Sequence, residues 1–460
     1  MAFFTNQTAR LTENRAQLNY GVAVADIDDD GAFEIYVTGF SGPSQVLKWQ
    51  GDSFVEIATN TPLSNAGGQA IGVAAADIDG DGREELYVLN TDVFAGRKQT
   101  GDRLYKFVDG RWIDIFTLPE NHDRLNLYAG RSVGCIDRLG IGHYGFFVAN
   151  YGGPMRLYEL LDSSLELIDA APELGLNFVT GGRAVVPAPI MSSRTDLFLN
   201  NENGANYLLF NNGDGTFTEM AEALGLDDPF EHGRGTAVLD ANGDGFLDIA
   251  YGNWEGANRL YLREGNHFYD ATPATMQRPS RIRTVIAADF DNDGVDEIFW
   301  HNLLQPNRLF KLRHGIWEMP DIGDALEPLG AGTGAAIGDF DGDGRLELLL
   351  SHGESVLQPL TFYTVHPDIA AGNHYLRVKV LTSVGAPARG ALVRLRANGK
   401  TQIKVIDAGS GYLCQMEPIA HFGLGPSTHV DWVEVVFPDT TIQRVVHPAV
   451  DQVLTVQKAI

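Results

Sequence analysis

Asp26, Asp28, Asp30 and Glu34 occupy positions 1, 3, 5 and 9 of the run "DIDDDGAFE". The same spacing recurs at Asp77, Asp79, Asp81, Glu85; at Asp240, Asn242, Asp244, Asp248; at Asp289, Asp291, Asp293, Glu297; and at Asp339, Asp341, Asp343, Glu347. Alternate positions aim side-chain oxygens at one point, position 7 offers a backbone carbonyl, and the glycine at position 6 permits the sharp bend. Hard oxygen donors without Cys or His favour Ca2+ over zinc or copper. An EF-hand would need Glu at position 12, where this chain has Val37, Val88, Tyr251, Trp300 and Leu350. Each loop therefore reads as a β-turn clasping a cation. Five structural calcium ions are expected.

The elements that must position these loops follow from their phase. The loops start at residues 26, 77, 240, 289 and 339, with steps of 51, 49 and 50 and one gap of 163 that holds two further units. Those two are degraded. Asp137 is followed by Leu139, Ile141 and Gly145 at the other ligand positions, and Asp196 is preceded by Ala188, Ile190 and Ser192. Neither set can hold calcium. After each loop come an apolar strand, an "NRLY"-like strand ("MRLYELLDSSLELI" in the third unit) and a "GxFxE"-like strand. Seven units of four short strands predict an all-β, seven-bladed β-propeller. The seventh unit is one outer strand short, and "AFFTNQTA" at the N-terminus resembles it, so the ring is expected to close there.

Net charge is -26, from 60 acids against 34 bases, which argues against nucleic acid as a partner. No apolar run is long enough to cross a membrane as a helix, so no membrane insertion is expected. "MAFFTNQTARL" lacks the basic start and apolar core of a signal peptide. Either the chain is made without a leader or one was removed. Cys135 and Cys414 are too few for a disulfide framework; two unrelated buried thiols are the favoured reading, with a single bridge as the alternative.

The acidic turns resemble the FG-GAP/VCBS repeats of integrin α-chain propellers, and the resemblance covers residues 1–370. It implies that the turns hold calcium. Residues 371–460 resemble an ASPIC/UnbV domain of the cartilage acidic protein family, through Gly409-Ser410-Gly411-Tyr412, Phe422-Gly423-Leu424-Gly425 and Val430-Asp431. Cys414 and Phe437 depart from that pattern, which has Ser and Trp there. Alternation in "LRVKVL" and "VDWVEVVF" independently predicts strands, hence a small C-terminal β-sandwich. The resemblance implies an extracellular or periplasmic location; the missing leader keeps a cytoplasmic one open.

Partners of propellers dock at the channel mouth, on the face opposite the acidic turns. Strand-one starts bring Arg131, Arg183, Arg234 and Arg283 there, and strand-two ends bring Tyr151, Trp254, His301 and His352. Four arginines about one axis suit an anionic group, with the aromatics as stacking surface. The alternative is that the arginines tie neighbouring blades together. No nucleophile motif, phosphate loop or His-containing metal cluster is read in the sequence, so no catalytic residue is assigned. Three functions stay open: a calcium-stabilised recognition module for a protein or glycan partner, an enzyme with its site at the channel mouth, or an assembly protein acting through the C-terminal domain.

Overall fold

The computed structural model describes residues 1–161 and 165–459; Asp162, Ser163 and Ser164, inside the third unit's "MRLYELLDSSLELI", and Ile460 lie outside the described residues. Seven antiparallel blades surround one axis. The first is built from Asn19–Ala25, Glu34–Gly39, Gln45–Gln50 and Ser53–Glu56, in that spatial order. The innermost strands of the next five are Ala70–Ala76, Gly130–Ile136, Val179–Ala188, Gly233–Leu239 and Ile282–Ala288. The seventh blade combines Gly332–Gly338, Glu347–His352 and Thr361–Val365 with Phe4–Asn6, which pairs through Phe4 with Val365 and Asn6 with Tyr363.

Inner strands crowd near the axis, and their sequences are correspondingly small, as in "AIGVAAA" and "GTGAAIG". A Cβ on Gly334 would stand 2.3 Å from Tyr20 O, and one on Gly235 would stand 2.5 Å from Arg283 O. Only glycine permits that approach. Larger apolar side chains fill the wedges between blades, for example Tyr87, Phe116, Phe146 and Tyr158 between blades two and three.

In all five intact units the position-9 acid begins strand two and pairs with the last residue of strand one: Glu34 with Ala25, Glu85 with Ala76, Asp248 with Leu239, Glu297 with Ala288, Glu347 with Gly338. Each acidic loop is thus the turn between the two inner strands. The two degraded blades differ in a second way. Their strands Gly145–Pro154 and Val179–Ala188 are long and pair with each other at Tyr151/Gly181 and Pro154/Val179, making one eight-stranded sheet.

The C-terminal sandwich packs a three-stranded sheet (Ile419–Gly425, His374–Leu381, Val453–Gln457) on a four-stranded one (Lys400–Val405, Leu392–Ala397, Trp432–Val436, Ile442–Val446). Leu376, Val378, Val393, Leu395, Phe422 and Val433 form its core. Arg389, fully buried, ties it to blade two and blade one by reaching Glu84 Oε2 (3.2 Å) and Val24 O (3.0 Å).

Candidate functional site

The segment Asp407–Glu417 leaves the sandwich and fills the propeller channel. Inner strands of a propeller present an unpaired edge to the axis, and this segment supplies the missing partners. Cys135 N donates to Ala408 O (2.8 Å), Thr236 and Gly411 exchange backbone bonds of 3.0 and 2.7 Å, and Gln415 N donates to Val22 O (2.9 Å). The Gln415 side chain does the same for Ala75, accepting from its N (2.7 Å) and donating to its O (3.0 Å). Cys414 Sγ accepts from Ala335 N (3.3 Å). Both cysteines are free, buried thiols, Cys414 within the plug and Cys135 beside it. Sequence reasoning missed it, because "DAGSGYLCQME" has no periodicity of its own.

Tyr412 sits at the tip of the plug among the four arginines. Arg183 Nη1 donates to Tyr412 Oη (3.3 Å), and the Arg283 guanidinium lies 5.8 Å from the Tyr412 ring. Burial alone would raise the phenol, but Arg183, Arg283, Arg131 and Arg234 together hold it below its ordinary value. Burial also lowers Arg183 to about 9 and Arg234 to about 10. Glu202 bridges Arg183 and Arg234, and Glu354 pairs with Arg283 at 2.7 Å. Among the described residues no carboxylate pairs with Arg131, which donates to the carbonyls of Gly130 and Phe94. The Nε atoms of Arg183, Arg234 and Arg283 are buried without a partner among the described residues.

Aromatic side chains wall this cluster. Arg183 lies 4.6 Å from the Tyr151 ring, Arg283 lies 4.4 Å from Trp254, and Phe94 covers Arg131 and Arg183 at 5.1 and 5.5 Å. Phe94 itself is 65% exposed. Glu202, Glu354 and Phe94 come from loops outside the repeat pattern and had no sequence signal.

His301 and His352 do not join the arginines. They lie between blades six and seven, both buried, with rings 5.6 Å apart. His352 Nε2 is 2.9 Å from Glu327 Oε2 and its Nδ1 is 2.8 Å from Pro359 O. His301 Nε2 faces Ser351 O and Nδ1 faces Asn307 Oδ1, both at 3.1 Å. Burial pulls His301 down to about 4. For Glu327, burial acts upward, but the bond and charge of His352 outweigh it and bring the carboxyl to about 2. The expected grouping of these histidines with the mouth is therefore divided into two clusters.

In the acidic turns, ligand atoms of Asp26/Asp28/Glu34, Asp77/Asp79/Glu85, Asp289/Asp291/Glu297 and Asp339/Asp341/Glu347 converge to within 4.8 Å of one another. Burial raises the position-9 acids, Glu34 to about 7 and Glu85 to about 8, and lifts Glu297 and Glu347 strongly. In blade seven, Arg377 takes Asp339 Oδ2 at 3.1 Å, while Asp339 Oδ1 is buried without a partner among the described residues. Oxygen-only donors with an orphaned carboxylate oxygen fit a hard cation. Blade five offers Asp240, Asn242, Asp244 and Asp248, with Asn242 Nδ2 donating to Asp244 Oδ2 (2.9 Å). Blades one, two and six differ, because a lysine from strand three enters the cage. Lys48 Nζ is 2.6 Å from Asp28, 2.6 Å from Asp30 and 3.0 Å from Glu34. Lys106 and Lys311 repeat this at 2.5 to 2.8 Å. In the degraded turns the carboxylates are taken up by backbone: Asp137 accepts from Ile141 N and Gly142 N, and Asp196 from Met191 N and Ser192 N.

A propeller of Asp-rich turns whose channel is filled by an appended sandwich defines the class: FG-GAP-type propellers carrying an ASPIC/UnbV module. Residues 6–88, 193–251 and 240–300 match the FG-GAP-like repeat, and residues 382–460 match the family described as ASPIC and UnbV. The chain belongs to the cartilage acidic protein family, being 46% identical to cartilage acidic protein 1 of Xenopus tropicalis over 93% of this chain and 72% of that protein. Human cartilage acidic protein 1 is 47% identical over 93% of this chain and 70% of its own length. Among solved structures, a lectin from Burkholderia pseudomallei is similar at TM-score 0.48 and 14% identity, covering 78% of this chain and 97% of the lectin. YCF48 from Cyanidioschyzon merolae is similar at TM-score 0.47 and 10% identity, covering 80% of this chain and 99% of its own. Among the described residues no helix is long and apolar enough to cross a membrane.

Proposed function

We propose that this chain is an extracellular recognition module that binds an anionic group of a protein or glycan partner at its arginine-lined channel mouth, on a scaffold stabilised by calcium at its acidic turns. The carrying observation is the charge imbalance at the mouth. Arg183, Arg234 and Arg283 share Glu202 and Glu354, Arg131 has no carboxylate, and three buried Nε atoms find no partner among the described residues. Buried cations without full compensation are costly and favour an incoming anion. Tyr151, Trp254 and the exposed Phe94 add a stacking rim of the kind that recognises planar or sugar-ring surfaces.

The plug supports recognition over catalysis, since Tyr412 occupies the channel beneath the arginines and is only 4% exposed. Calcium would be held by the carboxylates at positions 1, 3, 5 and 9, and when bound it supplies positive charge that lets the turns pack ionised.

Binding to an array of neutral, carboxylated and sulfated glycans tests the reading, with Arg131→Gln beside the wild type. Arg131 is chosen because no carboxylate loses its partner on substitution. Selective retention of acidic glycans that drops at least tenfold in Arg131→Gln is expected. Equal binding of neutral glycans, or an unaffected variant, would remove the arginine mouth from the reading.

A further inference from the structure

The strand-three residue that follows the partner of loop position 10 is the same structural position in every blade. The partners are Leu47, Tyr105, Tyr158, Leu209, Tyr261, Phe310 and Tyr363. The residues after them are Lys48, Lys106, Glu159, Phe210, Leu262, Lys311 and Thr364. Lysine stands there only where the loop is a convergent acidic cage, in blades one, two and six. In blade three the polarity is inverted: the loop carries Arg138, and its guanidinium meets Glu159 at 2.7 and 3.0 Å. In these four blades the position answers the charge of the loop above it.

We propose that Lys48, Lys106 and Lys311 are the resident cations of blades one, two and six, so that these cages take no calcium and the blade-seven cage is the one built for the metal. The inference rests on the calcium reading above and narrows it from the five ions expected of the loop motif. Each ammonium touches three carboxylates at 2.5 to 3.0 Å, the place a metal would need. The lysine side chains are only 13, 8 and 3% exposed, and a displaced ammonium would leave its partners for water at the expense of that burial. Asp79 Oδ1 in blade two lacks a partner, but its Oδ2 is 2.7 Å from Lys106. Blade seven has Thr364 at the answering position. Its cations are arginines that each take one carboxylate: Arg377 on Asp339 Oδ2, Arg10 on Asp341 at 3.3 Å, and Arg345 on Asp343. None reaches Glu347 or the buried, unpartnered Asp339 Oδ1 among the described residues. Blade five, with Leu262, has no lysine either and is left free to bind.

Equilibrium dialysis against calcium, with bound metal counted per chain, tests this on the intact protein. One or two ions are expected in the wild type, with one lost in Glu347→Gln. One ion is expected to be gained in Lys311→Leu, which copies blade five, or in the more exposed Lys48→Leu if Lys311→Leu does not fold. Three or more ions in the wild type, or a folded lysine variant with an unchanged count, would overturn the lysine assignment and leave the calcium reading standing. A wild type that binds none, or a Glu347→Gln protein that keeps its full count, would overturn the blade-seven cage; the former would also remove calcium from the proposed function.

Discussion

Tyr412 of the C-terminal module accepts a hydrogen bond from Arg183 on blade four, 3.3 Å away, at the end of a segment that threads the propeller channel. This contact joins the two parts of the chain at the point where a ligand would arrive. The phenol oxygen faces four guanidinium groups, so its loss removes an acceptor from a buried cationic cluster. Tyr412→Phe is expected to cost about 1.5–3 kcal/mol, the usual range for a bond to a charged group. Denaturant unfolding checks the cost. The same variant should bind an anionic ligand more tightly, since the competing internal acceptor is gone.

Arg389 is the second tie between the modules. Its guanidinium, fully buried, holds Glu84 of blade two, Val24 O of blade one and Asp407 O at the root of the plug. Arg389→Met leaves Glu84 buried without its cation, a loss of about 3–5 kcal/mol. Because Glu84 is then the unpaired charge, Glu84→Gln added to Arg389→Met should recover part of the loss. A double-mutant cycle by chemical denaturation measures it; strictly additive losses would place the role of Arg389 elsewhere.

Much of this architecture was legible because a repeat reports itself. Asp26, Asp77, Asp240, Asp289 and Asp339 fall in phase, and their spacing gave both the blade count and the place of each turn between inner strands. What escaped is what depends on register or on a surface built by other residues. Lys48, Lys106 and Lys311 mean nothing until the pairing of Leu47, Tyr105 and Phe310 with strand two places them over the loops. Gly409-Ser410-Gly411-Tyr412 takes its shape from the channel, so no local propensity announced it. His301 and His352 share strand-two ends with Trp254, yet their side chains turn into the blade interface, a choice that strand position alone does not make.

The buried His301 gives the protein a defined acid response. His301 has a folded value of about 4, depressed by burial from 6.5, so it is neutral when folded and takes up a proton on unfolding below 6.5. A depressed histidine contributes stability that is full above 6.5 and is lost as pH falls toward about 4. Glu327 at about 2, against an ordinary 4.5, adds a later loss as pH falls from 4.5 toward 2. The raised cage acids Glu34 and Glu85 act in the opposite sense, so the His301 part is read as a difference: the gap in thermal midpoint between wild type and His301→Leu should shrink between pH 7 and 4. His301→Leu, although less stable at pH 7, should fall less steeply over that window. Parallel slopes would show that His301 does not carry the response.

The ring closes through three residues at the N-terminus, and closure depends on more than their backbone bonds. Phe4 pairs with Val365 and stacks edge-on against Phe290 at 5.3 Å and Phe299 at 6.1 Å, anchoring the seventh blade to the sixth. Phe3 N donates to Asp321 O (2.7 Å) and His366 N donates to Phe3 O (2.8 Å), so the strand is held on both edges. Phe4→Ala empties a site that is 3% exposed and should cost about 3–5 kcal/mol. Removing residues 1–7 goes further, because it strips the partner from Thr361–Val365 and leaves a free edge strand beside the apolar Phe299 wedge. Such an edge recruits another chain. The truncated protein should unfold at lower temperature than Phe4→Ala and elute as dimers or larger species in size-exclusion chromatography. A monomeric truncation with the wild-type midpoint would mean that the ring is held by its inner strands and the plug alone.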